Sequence, residues 1–191
     1  MSDFTPFISY AAAMSITPGP NNAMLATLGA RHGWRGAAPA AFGVMTGMFL
    51  LLLVAGTGVG AAISAVPSLR SVLTVGGVLY MGYLAYVLWH AEGAAKERPP
   101  MGFWGAVAFQ TVNPKALLMA LTAAGGFSLP WGGPAGMAAL FVLVGGPCIA
   151  VWALAGDRLR RWLDTPARAR LFSRAMAVLV ACTAIAMVIE G

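Results

Sequence analysis

Two short runs in this sequence place polar and proline residues inside apolar stretches. The first is "MSITPGPNNAML", Met14 to Leu25, within a segment that carries no charge from Phe4 to Ala30. The second is "FQTVNPKALLMAL", Phe109 to Leu121, where Asn113 and Pro114 precede Lys115. Proline removes a backbone donor and displaces the carbonyl one turn earlier in a helix, so each run frees main-chain polar groups. Asparagine offers both donors and acceptors, which suits the two ends of a zwitterion. Lys115 needs compensation in an apolar setting: a bound anion, a cluster of carbonyls, or loss of its proton. No acidic side chain is placed to provide it, because Asp3, Glu92, Glu97, Asp157, Asp164 and Glu190 all fall at segment ends or in loops. A lysine so placed suits a carboxylate-bearing ligand, and a helix starting after Pro20 adds N-terminal amides to the same site. The candidate binding and transport residues are Pro18, Gly19, Pro20, Asn21, Asn22, Asn113, Pro114 and Lys115.

The elements that must hold these residues are membrane-spanning. The 191 residues are 59% hydrophobic and 9% charged, with a mean hydropathy of +0.78. A soluble domain carries about 25% charged residues. Charge-free runs from Ala37 to Leu69, Ser71 to Trp89 and Ala116 to Gly156 each reach the roughly 20 apolar residues that a crossing requires. The last is long enough to fold back, at Trp131-Gly132-Gly133-Pro134. Six spans are predicted, at about 4–30, 38–62, 69–90, 102–126, 134–156 and 171–190; the alternative leaves the sixth on the surface as an amphipathic helix. The opening "MSDFTPF" lacks the basic leader of a cleaved signal peptide, so none is expected.

Lys and Arg set the orientation. Arg31, Arg35, Lys96, Arg98, Arg158, Arg160, Arg161, Arg168, Arg170 and Arg174 follow spans one, three and five, against Arg70 alone on the other side. Both termini are therefore expected outside. The net charge of +6 is a topology signal and not a nucleic-acid footprint. The run "DRLRRWLDTPARAR" reads as an orientation anchor that can also touch anionic lipid heads.

Sliding the chain by 94 positions lays Pro114 on Pro20 and Lys115 on Asn21. Three spans per half is an odd number, so the second half inserts upside down. The expected fold is an all-α integral membrane protein of two inverted three-helix repeats, with spans one and four broken at their Pro-containing motifs. In such folds matched breaks mark a substrate site near the midplane, since freed backbone groups must face protein or a water-filled cavity. The whole of 1–191 forms one membrane domain: repeat one about 1–91, a cytoplasmic linker about 92–101, repeat two about 102–191. Pro39 and Pro147 are read as kinks only.

His32 and His90 fall at span ends and read as interfacial anchors. Asp157, at the cytoplasmic end of span five, is a candidate for proton coupling, with pairing to Arg158 or Arg161 as the competing role. Cys148 and Cys182 read as apolar filler, and the eleven methionines form no metal-relay stripe. An enzyme or thiol–disulfide carrier would need acids, His or a Cys pair at the breaks, where Asn21, Asn22 and Lys115 stand instead. No metal and no cofactor is expected. A helper or assembly subunit without transport, and metal-ion efflux, are the alternative functions.

With these residues placed, the chain resembles the LysE/RhtB family of bacterial amino-acid exporters, the LysE-type translocators. The likeness rests on "TPGPNNAMLATLGARHGWRGA" from Thr17, "GGVLYMGYLAYVLW" from Gly76 and "FQTVNPKALLMAL" from Phe109. It implies six spans, a homodimer, a bacterial inner-membrane location and efflux of amino acids or related metabolites by proton antiport with alternating access. Pro18, Gly19, Pro20, Asn21, Asn113, Pro114 and Lys115 match the family's signature positions. Where many members carry an aromatic Pro-Gln-Phe element this chain reads "AAGGFSLPWGG", pointing to a different cargo preference. Without a mid-span acid a cationic cargo would lack a partner, so a neutral amino acid is expected.

Overall fold

The computed structural model describes residues 4–60, 65–91, 101–127 and 132–190. Every regular element among them is helical: α1 (Thr5–Ile16), α2 (Pro20–Val54), α3 (Pro67–Trp89), α4 (Phe103–Val112), α5 (Pro114–Gly126), α6 (Gly133–Leu159) and α7 (Pro166–Glu190). A π-turn at Ala55–Val59 ends α2, and a short 3₁₀ turn at Trp162–Asp164 joins α6 to α7. Among the described residues, four stretches are long and apolar enough to cross a membrane: Pro20–Gly58, Ser71–Trp89, Gly133–Leu159 and Pro166–Ile189.

The prolines explain the two interruptions. A residue before proline is pushed out of the α region by the ring's Cδ. Thr17 (φ −60°, ψ 134°), Gly19 (φ −179°, ψ −178°) and Asn113 (φ −83°, ψ 106°), each before a proline, are all extended. Pro20 and Pro114 then open α2 and α5 at the first helical position, where the missing N–H costs nothing. The two breaks differ in length: residues 17–19 separate α1 from α2, whereas Asn113 alone separates α4 from α5.

One expectation needs correcting. The loop anticipated between residues 30 and 38 is a single-residue break. Helical structure continues through Arg31 and His32 and resumes at Trp34, with only Gly33 non-helical (φ 73°, ψ 171°). That conformation is open to glycine and strained for other residues. Arg31 and Arg35 looked like loop residues, but both are exposed and helical geometry tolerates them. At about 1.5 Å per residue, the 35 residues of α2 would run to about 52 Å if straight, against a hydrocarbon core of about 30 Å. The expected span boundaries elsewhere match α3, α4 with α5, α6 and α7 within a few residues, α7 starting earlier, at Pro166. The linker 92–100, the fold-back residue Trp131 and the C-terminal end of span two lie outside the described residues.

Packing follows the logic of a bilayer rather than of water. The interior is rich in alanine, while Phe42, Leu79, Trp104, Leu143 and Ile189 stand exposed on the outside. Small residues let helix backbones approach, the usual basis of association where lipid removes the hydrophobic drive. The tightest approach is between α2 and α6. A Cβ on Gly29 would overlap the carbonyl of Ala153, and one on Gly156 would overlap the carbonyl of Ala26. Larger side chains gather elsewhere: Phe7 and Phe141 anchor one cluster with Leu52 and Met137, and Met81 and Val180 hold α3 against α7.

Candidate functional site

The break after α1 leaves a set of carbonyls without helical donors. Side chains from four other helices satisfy them. Asn22 of α2 donates through Nδ2 to Ser15 O (2.9 Å) and Thr17 O (2.8 Å). Lys115 of α5 donates through Nζ to Thr17 O (2.8 Å) and Pro18 O (3.2 Å). Trp152 of α6 donates through Nε1 to Ile16 O at 3.1 Å. Thr183 of α7 places its hydroxyl 2.6 Å from Pro18 O and 2.9 Å from Leu179 O. The negative end of the α1 dipole thus faces a lysine ammonium, a favourable arrangement.

The second break is held by amides. Asn21 and Gln110 form a reciprocal pair, Asn21 Nδ2 to Gln110 Oε1 at 2.9 Å and Gln110 Nε2 to Asn21 Oδ1 at 3.1 Å. Asn113 Nδ2 adds a third bond to Asn21 Oδ1 at 3.1 Å. Asn113 also caps α5 through its Oδ1, which accepts from Ala116 N. The two breaks are therefore stitched to each other. Gln110 is fully buried, Asn113 is 1% exposed and Asn22 is 3% exposed. Among the described residues, no buried side-chain polar atom lacks a partner.

A cavity opens where the breaks meet. Gly19, Pro20, Asn21, Asn22, Asn113 and Lys115 all line it, and among the described residues Lys115 is the one charged group that does so. About 30 Å³ of it is open to the centre of a water molecule, room for about two ordered waters. Donors converge there. The first intrahelical bonds of α2 and α5 run from Ala23 N to Gly19 O and from Leu117 N to Asn113 O. The N–H groups of Asn21, Asn22 and Lys115 precede those bonds and have no i−4 helical acceptor. Two helix N-termini and a lysine at the edge of one small cavity can hold an anionic group.

Each expected site residue can now be placed. Pro18 contributes its carbonyl to Lys115 and Thr183; Gly19, Pro20, Asn21, Asn22, Asn113 and Lys115 stand at the cavity; Pro114 opens α5. Of the compensations open to Lys115, the carbonyl cluster is the one seen: Thr17 O and Pro18 O of the first break accept from its ammonium. Asp157 does not join the site. It lies near the end of α6, its Oδ1 3.2 Å from where a Cβ on Gly33 would stand, with an Arg160 guanidinium nitrogen at 3.3 Å from the same point. Asp157 makes no ion pair among the described residues, so the anticipated pairing with Arg158 or Arg161 is not seen. Cys148 and Cys182 are free thiols, and His90 Nδ1 lies 2.9 Å from Tyr86 O.

Sequence reasoning missed Gln110, Ser15, Trp152 and Thr183. Gln110 had a signal, as a buried-type amide one turn before Asn113 in an otherwise apolar helix. Trp152 and Thr183 had none, since their partners lie 136 and 165 residues away.

Comparison with known proteins agrees with the geometry. Residues 12–191 match the family model described as LysE type translocator. The chain is 31% identical over 164 residues to the cysteine/O-acetylserine efflux proteins of Salmonella paratyphi A and Salmonella typhi, covering 81% of this chain and 83% of each relative. It is 30% identical over 166 residues, at the same coverage, to the protein of that name from Escherichia coli. No solved structure matches it.

Proposed function

This chain belongs to the LysE-type translocator family and is a multi-pass membrane protein; from that premise and the cavity we propose that it exports a neutral amino acid or a related small metabolite from the cytoplasm. The carrying observation is the cavity between the two proline breaks, lined by Lys115 and by the first residues of two helices. The cargo carboxylate sits against the N–H groups of Asn21, Asn22 and Lys115 and the remaining ammonium donor of Lys115. The cargo ammonium is met by acceptors, among them Asn22 Oδ1, since Nδ2 of that residue is engaged by Ser15 O and Thr17 O. Among the described residues no carboxylate lines the cavity, which supports neutral side chains. The names of the relatives make cysteine and O-acetylserine, both neutral amino acids, the first cargoes to try.

Transport proceeds by alternating access in this reading. Span one is α1 with α2 up to Gly33, and span two is the remainder of α2. Spans three to six are α3, α4 with α5, α6 and α7. The two three-span halves are inverted repeats that rock about the breaks, and proton antiport drives the cycle. The matched use of Pro20 and Pro114 as first helical residues supports the repeat. The protein works as a homodimer in a bacterial inner membrane with both termini on the outer side, an orientation supported by the ten basic residues assigned to the inner loops.

The test is flux from vesicles containing only the purified protein, loaded with labelled cysteine or O-acetylserine, with and without an imposed pH gradient. Export well above that of protein-free vesicles, and faster with the gradient, is the expected result. Flux no faster than in protein-free vesicles across a panel of neutral amino acids would overturn the proposal and favour a helper subunit.

A further inference from the structure

The polar groups of the cavity deal with what all amino acids share, the carboxylate and the ammonium. Something else must meet the side chain. Four methionines line the same cavity: Met14 from α1, Met45 and Met48 from α2, and Met119 from α5. Helical spacing brings them there. Met119 follows Lys115 by one turn, and Met45 and Met48 are three residues apart on one face of α2. Met48 and Met119 are buried, while Met14 and Met45 are partly open.

The size of the cavity makes their chemistry matter. Its 30 Å³ open to a water centre is far less than an amino acid of seven or more heavy atoms fills, so lining side chains must yield when cargo enters. Val44 and Ile149 are β-branched and hold one rotamer in a helix, and Phe141 is fully buried in an aromatic cluster with Phe7 and Tyr10. Methionine is unbranched, with three rotatable bonds and a polarizable sulfur, and it re-packs without moving backbone.

Building on the export function proposed above, we infer that Met14, Met45, Met48 and Met119 form a deformable thioether wall that reads the cargo side chain. The wall admits uncharged side chains of several lengths, sulfur-bearing ones included, and imposes no single shape. A wall of branched residues would be more exclusive, because a rigid apolar pocket discriminates by roughly 10- to 200-fold per methylene.

The experiment compares flux of labelled serine, cysteine, valine, leucine and methionine from vesicles bearing the wild-type protein, Met45→Leu, Met48→Ile or Met14→Leu. These swaps nearly conserve volume and are well tolerated in cores; Met14→Leu, outside the fully buried set, keeps the test open if Met48→Ile does not fold. The wild-type rates should span less than about tenfold across the panel, and a substituted wall should widen that span to about tenfold or more. A folded variant with the wild-type profile, or a wild type already that selective, overturns the inference and leaves export standing. A wild type that carries no member of the panel overturns the export function itself.

Discussion

Gly19 and Lys115 share one space: a Cβ added at Gly19 would stand 2.8 Å from Lys115 Cδ and 3.2 Å from its Nζ. The lysine stem therefore lies across the backbone of the first break, and a Cβ at residue 19 would oblige that stem to shift from the path that brings its ammonium to Thr17 O and Pro18 O. Gly19→Ala should push the ammonium off those carbonyls. A hydrogen bond involving a charged group is worth about 1.5–3 kcal/mol, so cargo affinity should fall by about tenfold or more. Cargo-dependent thermal stabilisation of the purified protein measures it, and an unchanged response would show that the lysine's position is unimportant.

Lys115→Met should separate binding from folding. Thr17 O keeps Asn22 and Pro18 O keeps Thr183 as donors, so neither carbonyl is orphaned. The variant should insert and purify as the parent does, yet lose export. Export by the reconstituted variant at the parent's rate would remove Lys115 from the cargo site.

Gln110→Leu should act on the stitch between the breaks. It deletes the reciprocal amide pair with Asn21 and leaves Asn21 with Asn113 alone. Hydrogen bonds between membrane helices are worth about 0.6–1.7 kcal/mol each, so a melting temperature lower by a few degrees is expected, with slower flux. Thr111→Val is the control, because Thr111 is exposed and bonds only its own helix at Ala108 O. Equal melting temperatures for the two variants would mean the stitch carries no stability.

The α2–α6 crossing should tolerate no side chain. Overpacking costs about 1–3 kcal/mol where neighbours can shift, and here the obstacle at Gly156 is the backbone carbonyl of Ala26. Gly156→Ala should lower the melting temperature measurably, and Gly156→Leu should abolish folded protein in detergent by size-exclusion chromatography. A monodisperse Gly156→Leu protein would contradict the crossing.

Asp157 remains the proposed proton-coupling residue, positioned beside Gly33 and outside the cavity. Asp157→Asn should stop pH-gradient-driven export while cargo still stabilises the protein thermally. Undiminished gradient-driven export in Asp157→Asn would exclude it.

What could be read from the sequence was what covalent chemistry dictates locally. Proline's effect on its own and the preceding residue is independent of the rest of the chain, so the breaks at Pro20 and Pro114 were legible. The missing acid near Lys115 was legible too, because absence from a sequence is absolute; which of three compensations applied was decided only by the approach of the Thr17 and Pro18 carbonyls. The segment between predicted spans one and two is helical apart from Gly33 although it carries Arg31 and Arg35, because an exposed arginine is tolerated in a helix. Gln110, Trp152 and Thr183 are site residues through tertiary partners, and no local pattern encodes a partner on another helix.

The bond from Thr183 to Pro18 has a consequence for biosynthesis. Its two ends are 165 residues apart, and Trp152 and Lys115 also enter the membrane long after the carbonyls they satisfy. The first proline break must wait in the bilayer with unmet acceptors until later helices arrive one by one, and its last donor comes only with the final helix. Insertion therefore completes the break in steps: Pro18 O meets Lys115 with α5, Ile16 O meets Trp152 with α6, and a second donor to Pro18 O arrives with α7.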